Sequence, residues 1–230
     1  MTPKDSRPHA IIFDMDGVLV NSNPYHLQKW KDLLNERGIR YDEAELPQQV
    51  IGLRNDFAFQ YFFGPQLGPE EKKRLNEELE AKFRKIFAPH AKPLPGLTEL
   101  VATCHAAGIP MAVASAAMCK NVEFVVNAVG FRSYFRTMVS GDEVTHSKPD
   151  PEIYLTAARK LGADPASCAA FEDSFVGVEA AKRAGMKCVA LGTTFPMDEL
   201  RRETHADLIV PGFEAVNLQT LRGLWTAGKQ

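Results

Sequence analysis

Short apolar runs, each ending at polar residues and most followed by a helical pattern that stops at glycine, constrain this chain more than any other feature. The first run is Ala10-Ile11-Ile12-Phe13, and Asp14 ends it. Met111-Ala112-Val113-Ala114, Ala169-Ala170-Phe171, Cys188-Val189-Ala190-Leu191 and Leu208-Ile209-Val210 have the same character. Runs of this length, bounded by turn residues, read as buried strands. Between them, residues 97–107, 121–129, 151–161 and 175–184 carry helical patterns that stop at Gly108, Gly130, Gly162 and Gly185. Glycine just past a helical pattern is the expected terminator, because it adopts the left-handed conformation without strain. Strands alternating with helices imply an α/β fold, with a parallel sheet covered on both faces. Ligands of such sheets sit outside the carboxyl ends of the strands. The polar residues that end the runs are therefore the candidate site.

One stretch breaks the alternation. Residues 24–37, 55–63 and 70–87 read as helices, with glycine stops at Gly38 and Gly64 and no convincing strand among them. Pro93-Leu94-Pro95-Gly96 closes the segment. Residues 22–94 are expected to form a helical insertion placed after the first strand, with 1–21 and 95–230 as the α/β core.

Four polar positions follow four apolar stretches. Asp14-Met15-Asp16-Gly17 places two carboxylates two residues apart, so in extended chain both face one side. They repel one another unless a cation lies between them; the same tetrapeptide also suits a simple strand-end turn. Ser115 ends the second run, where its hydroxyl and the N–H of Ala116 could hold a phosphate oxygen. Lys148 precedes Pro149, which keeps it extended, and a lysine fixed there can offset nearby acids. Glu172-Asp173 could cap the following helix or complete an oxygen-ligand site for a hard cation such as magnesium.

Together these blocks resemble the haloacid dehalogenase-like hydrolase superfamily. The resemblance rests on Ile12-Phe13-Asp14-Met15-Asp16-Gly17-Val18, Ala114-Ser115, Ser147-Lys148-Pro149-Asp150-Pro151 and Phe171-Glu172-Asp173-Ser174. It implies a Rossmann-like core with a mobile helical cap of the C1 type. It also implies catalysis by Asp14, Asp16, Ser115 and Lys148, with Asp14 as nucleophile and Asp16 as acid–base partner. Magnesium would be held by Asp14, the main-chain carbonyl of Asp16 and Asp173, with Glu172 beside it. The segment 14–38, including Ser22, His26 and Trp30, is similar to the beta-phosphoglucomutase branch, although Asn21 stands where an aspartate is common. Substrate contacts are expected from Ser115, Ala116, Lys148, Arg54, His26 and Asn121. Asn121 is reached by reading Lys120-Asn121 as a displaced Lys-Asn pair. A packed histidine is the plainer alternative for His26, and a surface arginine for Arg54.

The expected activity is hydrolysis of a small phosphorylated metabolite, a sugar phosphate, through an aspartyl phosphate. Asp16 argues against dehalogenation, because a halide leaving group needs no proton. Arg54 in the cap loop argues against a Schiff-base route, because arginine stays protonated. The alternative is a hexose-phosphate mutase. That branch pairs a cap histidine with a cap lysine. His26 matches the histidine, but among Lys72, Lys73, Lys82 and Lys85 none falls in register, where Leu79 stands instead. Net phosphate release is therefore expected.

The remaining features exclude other classes. Lys and Arg total 27 against 29 acids, a formal charge of -2, so no basic excess points to nucleic acid or a membrane surface. No apolar stretch approaches the roughly 20 residues of a membrane span. Cys104, Cys119, Cys168 and Cys188 form no metal-ligand spacing. They read as reduced thiols of a cytoplasmic protein, a monomer or weak homo-oligomer.

Overall fold

The computed structural model describes residues 8–226; the outermost residues of the core assignment, 1–7 and 227–230, lie outside them. Six strands form one sheet. They are β1 (Ala10–Phe13), β2 (Met111–Ala114), β3 (Phe135–Val139), β4 (Cys168–Glu172), β5 (Lys187–Leu191) and β6 (Leu208–Val210). Their order is β3-β2-β1-β4-β5-β6, and every neighbouring pair is parallel. The chain builds outward from β1 to β3, then crosses over to β4 on the other side of β1. That reversal opens a crevice at the carboxyl ends of β1 and β4, where ligands of doubly wound sheets bind. Pairing of Phe13 with Phe171 brings Asp14 level with Glu172 and Asp173.

Alternation along the strands sorts the two faces. Ile12, Ala112, Ala170 and Ala190 lie on one face, and these mostly small residues let the helices α7 (Glu152–Leu161) and α8 (Phe175–Arg183) pack closely. Ile11, Phe13, Val113 and Phe171 lie on the other, under α5 (Leu97–Ala106) and α6 (Cys119–Ala128). There the Phe13 and Phe171 rings stack with centroids 5.0 Å apart, and Phe213 packs against both. Each fully buried ring contributes about 2–3 kcal/mol, and this stack fixes the floor beneath Asp14. Two short helices, α9 (Met197–Glu203) and α10 (Leu218–Gly223), complete the core.

Between β1 and β2 the chain forms α1 (Asn23–Glu36), α2 (Leu46–Val50), α3 (Asn55–Phe63) and α4 (Pro69–Phe87), with no strand among the described residues. The chain leaves and returns side by side: Val20 bridges Pro93, and the Leu94 N–H donates to the Leu19 carbonyl at 3.0 Å. No described helix is long and apolar enough to cross a membrane.

The strands match the apolar runs except at β3, where the sequence carries no such run. Its Arg136 is exposed and Thr137 half-buried, as an edge strand allows. The helices α2, α9 and α10 are five to seven residues long, too short for a helical period to show. α6 starts at Cys119, two residues before the pattern suggested.

Candidate active site

Asp14 leaves β1 with its N–H donating to the Phe171 carbonyl at 3.0 Å. Its carboxylate meets Lys148, whose Nζ is 2.5 Å from Asp14 Oδ1 and 2.5 Å from Glu172 Oε1. Lys148 is buried to 1% exposure. Burial opposes its charge, but Asp14 and Glu172 outweigh it and hold the ammonium above its usual range. The Tyr154 hydroxyl donates to Glu172 Oε1 at 2.6 Å. Sequence reading missed Tyr154, which there is one more large residue on an amphipathic helix.

Glu172 and Asp173 divide their work. Ser174 caps α8, accepting from the Gly177 N–H at 3.1 Å, so neither acid serves as the cap. Glu172 Oε2 accepts from the Asp173 N–H (3.1 Å) and the Ser174 hydroxyl (3.2 Å). Asp173 Oδ2 accepts from Asn23 Nδ2 at 2.9 Å and from the Thr194 hydroxyl. Two glycines make room for these acids. A Cβ at Gly17, whose φ is +79°, would lie 1.9 Å from Asp173 Oδ2, and one at Gly177 would lie 2.0 Å from the Glu172 carboxyl.

Asp14, Glu172 and Asp173 each offer an oxygen within 4.8 Å of the others. Burial, the largest influence, pushes the Asp14 carboxyl up to about 8; Lys148 works against the rise, while Glu172 and Asp16 add to it. Burial, Glu172 and Asp14 likewise push Asp173 well above the usual range. One ammonium does not balance these acids, and the all-oxygen donor set fits a hard divalent cation.

A pH dependence follows. Between the ordinary aspartate value near 3.9 and about 8, the unfolded chain has released the Asp14 proton and the folded, metal-free chain keeps it. The folded state binds more protons, so stability falls as pH rises through that window. We expect the melting temperature of chelator-treated protein to be lower at about pH 8 than at about pH 5.5, with magnesium removing most of the difference. A metal-free melting temperature that stays flat or rises would overturn this.

Asp16 has a different environment. Its Oδ1 accepts from the Ser22 hydroxyl at 2.5 Å and lies 3.1 Å from His26 Nε2. Burial raises it, but His26 and Ser22 outweigh burial and hold the carboxyl below its usual range. Two carboxyls two residues apart are thus pushed in opposite directions: without a metal Asp14 keeps its proton while Asp16 is ionised, and a cation beside Asp14 favours its charged form. His26 also stacks on Phe83, with centroids 3.9 Å apart.

Core and insertion enclose a cavity of about 250 Å³ between them. Asp14, Asp16, His26, Arg54, Ser115 and Ala116 all line it. The Ser115 hydroxyl accepts from the Ala117 N–H at 3.1 Å. Arg54 lines the cavity while tethered to the loop before Lys148: its guanidinium donates to the Val144 carbonyl (3.1 Å) and to Asp56 (3.0 Å). Asn121 departs from expectation. It is fully buried off the cavity, donating to Glu80 Oε2 at 2.5 Å and accepting from Arg84 at 2.6 Å. The first turn of α6 rotates it inward. Leu79 is buried off the cavity as well, and its neighbour Glu80 lines the wall with Lys29.

A family model described as haloacid dehalogenase-like hydrolase matches residues 11–191. Hexitol phosphatase B of Escherichia coli is 32% identical over 184 residues, covering 79% of this chain and 82% of that protein. Beta-phosphoglucomutase of Bacillus subtilis is 30% identical over 226 residues, covering 94% and 95%. Among solved structures, a beta-phosphoglucomutase from Clostridium difficile superposes with a TM-score of 0.85 at 25% identity, covering 95% of this chain and 97% of that one.

Proposed function

Because the chain belongs to the haloacid dehalogenase-like hydrolases, we propose that it is a magnesium-dependent phosphatase that hydrolyses a small sugar phosphate through an aspartyl phosphate. The observation that carries this reading is the gathering of Asp14, Glu172 and Asp173 within 4.8 Å of one another at adjacent strand ends, with Lys148 bonding Asp14 and Glu172.

Phosphoryl transfer is mainly positioning and charge neutralisation. Asp14 attacks phosphorus in line, forming the P–O bond of an acyl phosphate as the ester oxygen departs. Lys148, fixed by Glu172 and Tyr154, orients Asp14. Ser115 and the Ala116 N–H receive the phosphate oxygens. Asp16 protonates the departing oxygen and then takes a proton from the water that cleaves the acyl phosphate. In the free site Asp16 is held ionised; an arriving phosphate anion raises its proton affinity through like-charge repulsion, which prepares it as the acid. Magnesium, when bound, neutralises phosphate charge; Asp14, Asp173 and the Asp16 carbonyl would hold it. Glu172 is in reach, but both its oxygens already have partners, so it serves by holding Lys148. Helices α1–α4 act as a lid that shuts water out during attack, with Arg54 meeting the substrate on closure and its paired linkers at Leu19–Val20 and Pro93–Leu94 as hinges.

One observation favours the mutase as a second reading. Lys29, from α1, lies on the cavity wall beside His26, with its Nζ 5.4 Å from the Phe83 ring on which His26 stacks. The sequence register sought a cap lysine only on α4. Glu80 cancels the Lys29 charge with an ion pair, which leaves no net positive charge there to hold a second phosphoryl group, and for that reason the phosphatase reading stands. Phosphorus NMR of beta-glucose 1-phosphate with a glucose 1,6-bisphosphate primer decides between them. Free phosphate is expected to accumulate with little glucose 6-phosphate. Rapid formation of glucose 6-phosphate without free phosphate would overturn the phosphatase.

A further inference from the structure

The helical wall of the cavity carries a buried ion pair that the proposed chemistry does not use. Lys29 of α1 and Glu80 of α4 are 1% and 4% exposed, and both line the cavity. Glu80 is nearly saturated. Its Oε1 accepts from Lys29 and from Asn55 Nδ2 (2.5 Å), and its Oε2 accepts from Asn121 Nδ2 (2.5 Å). Asn55 is itself fixed, donating to Asn76 at 2.7 Å and accepting from Trp30 Nε1 at 3.2 Å. Glu80 is therefore an anchored acceptor with little capacity to spare.

Lys29 is the opposite case. An ammonium carries three N–H donors, and among the described residues Lys29 has one hydrogen-bond partner, Glu80. The Phe83 ring, 5.4 Å away, offers only its π face. Two donors remain in a buried position that opens only to the cavity. A buried pair of this kind adds little stability relative to apolar residues of the same shape, whereas spare donors at a cavity wall recognise oxygen. Lys29 lies three residues after His26 on α1, and so on nearly the same helix face. His26 bonds Asp16, so Lys29 stands on the part of the cavity wall nearest the departing ester oxygen. The ligand of its spare donors is neutral rather than anionic, because Glu80 already cancels the Lys29 charge.

We propose that Lys29, held in place by Glu80, recognises a hydroxyl of the leaving alcohol and selects phosphate monoesters of polyols and sugars over those of alcohols without further hydroxyls. This inference rests on the phosphatase reading. A pocket built to bond a hydroxyl discriminates strongly against analogues that lack it.

The test measures kcat/KM for sorbitol 6-phosphate and for n-hexyl phosphate, with magnesium, in the wild type and in the double variant Lys29→Met, Glu80→Gln. The double change removes both charges together and keeps the side-chain shapes. The wild type is expected to prefer sorbitol 6-phosphate by about 100-fold or more. The variant is expected to lose at least about tenfold of that preference, the worth of one charge-assisted hydrogen bond. A merely structural pair would lower both rates alike and leave the ratio intact, which would overturn the proposal. A wild type that hydrolyses both esters equally well would overturn it without any variant. Phosphate release from neither ester would instead sink the phosphatase reading, and this inference with it.

Discussion

Asp14→Asn is expected to lower kcat by about 10⁵-fold or more, the scale seen when a nucleophile is lost, while the fold survives. In the proposed mechanism this side chain forms the covalent bond to phosphorus, and an amide oxygen does not form a stable acyl phosphate. Survival of the fold follows from the electrostatics. Burial pushes Asp14 up to about 8, and Glu172 and Asp16 oppose its charge further, so a neutral isostere relieves repulsion. Lys148 keeps its second partner, Glu172, at 2.5 Å. Melting of the metal-free variant at about pH 8 is therefore expected at or above the wild-type temperature. Acid-quenched wild type should yield an acyl phosphate that hydroxylamine captures, and the variant should yield none. Residual turnover above about a tenth of wild type would remove Asp14 from the nucleophile's role.

Exhaustive chelation followed by gel filtration is expected to abolish phosphate release, by about 10³-fold or more, with recovery on adding magnesium. A metal ion supplies several kcal/mol of charge stabilisation in such reactions, and each 1.36 kcal/mol is tenfold in rate. The magnitude is large here because Asp14, Glu172 and Asp173 converge within 4.8 Å, and among the described residues Lys148 is the one cation paired with them. A dianionic phosphate entering that site meets net negative charge. Full activity after chelation would exclude the metal assignment.

The placement of the candidate site is legible because it lies where apolar runs stop. Asp14, Ser115, Glu172 and Asp173 follow directly from the strand ends, and Lys148 from its proline. The residues that hold them were not legible. Asn23 and Thr194 reach Asp173 from other elements, and no local pattern marks a residue such as Asn23, whose partner is 150 positions away. Lys29 and Glu80 were hidden for a different reason. Each is one charge among many on a charged helix, and only the packing of α1 against α4 turns these two inward. Asn121 went wrong because two residues at the start of α6 decide which way its side chain points.

The paired linkers at Val20–Pro93 and Leu19–Leu94 have an evolutionary consequence. A segment whose two ends meet can be lengthened, shortened or replaced without disturbing what it leaves behind, because the gap to be bridged stays the same. None of the strand-end acids, and neither Lys148 nor Ser115, lies on the removable helices. Lys29, held by Glu80, and Arg54 in the loop before α3, the side chains proposed to meet the rest of the substrate, both lie in the inserted segment. One reaction centre can thus be re-addressed to new metabolites by changing a single contiguous stretch of gene, provided that stretch keeps Asn23 and His26, the α1 side chains that bond the strand-end acids.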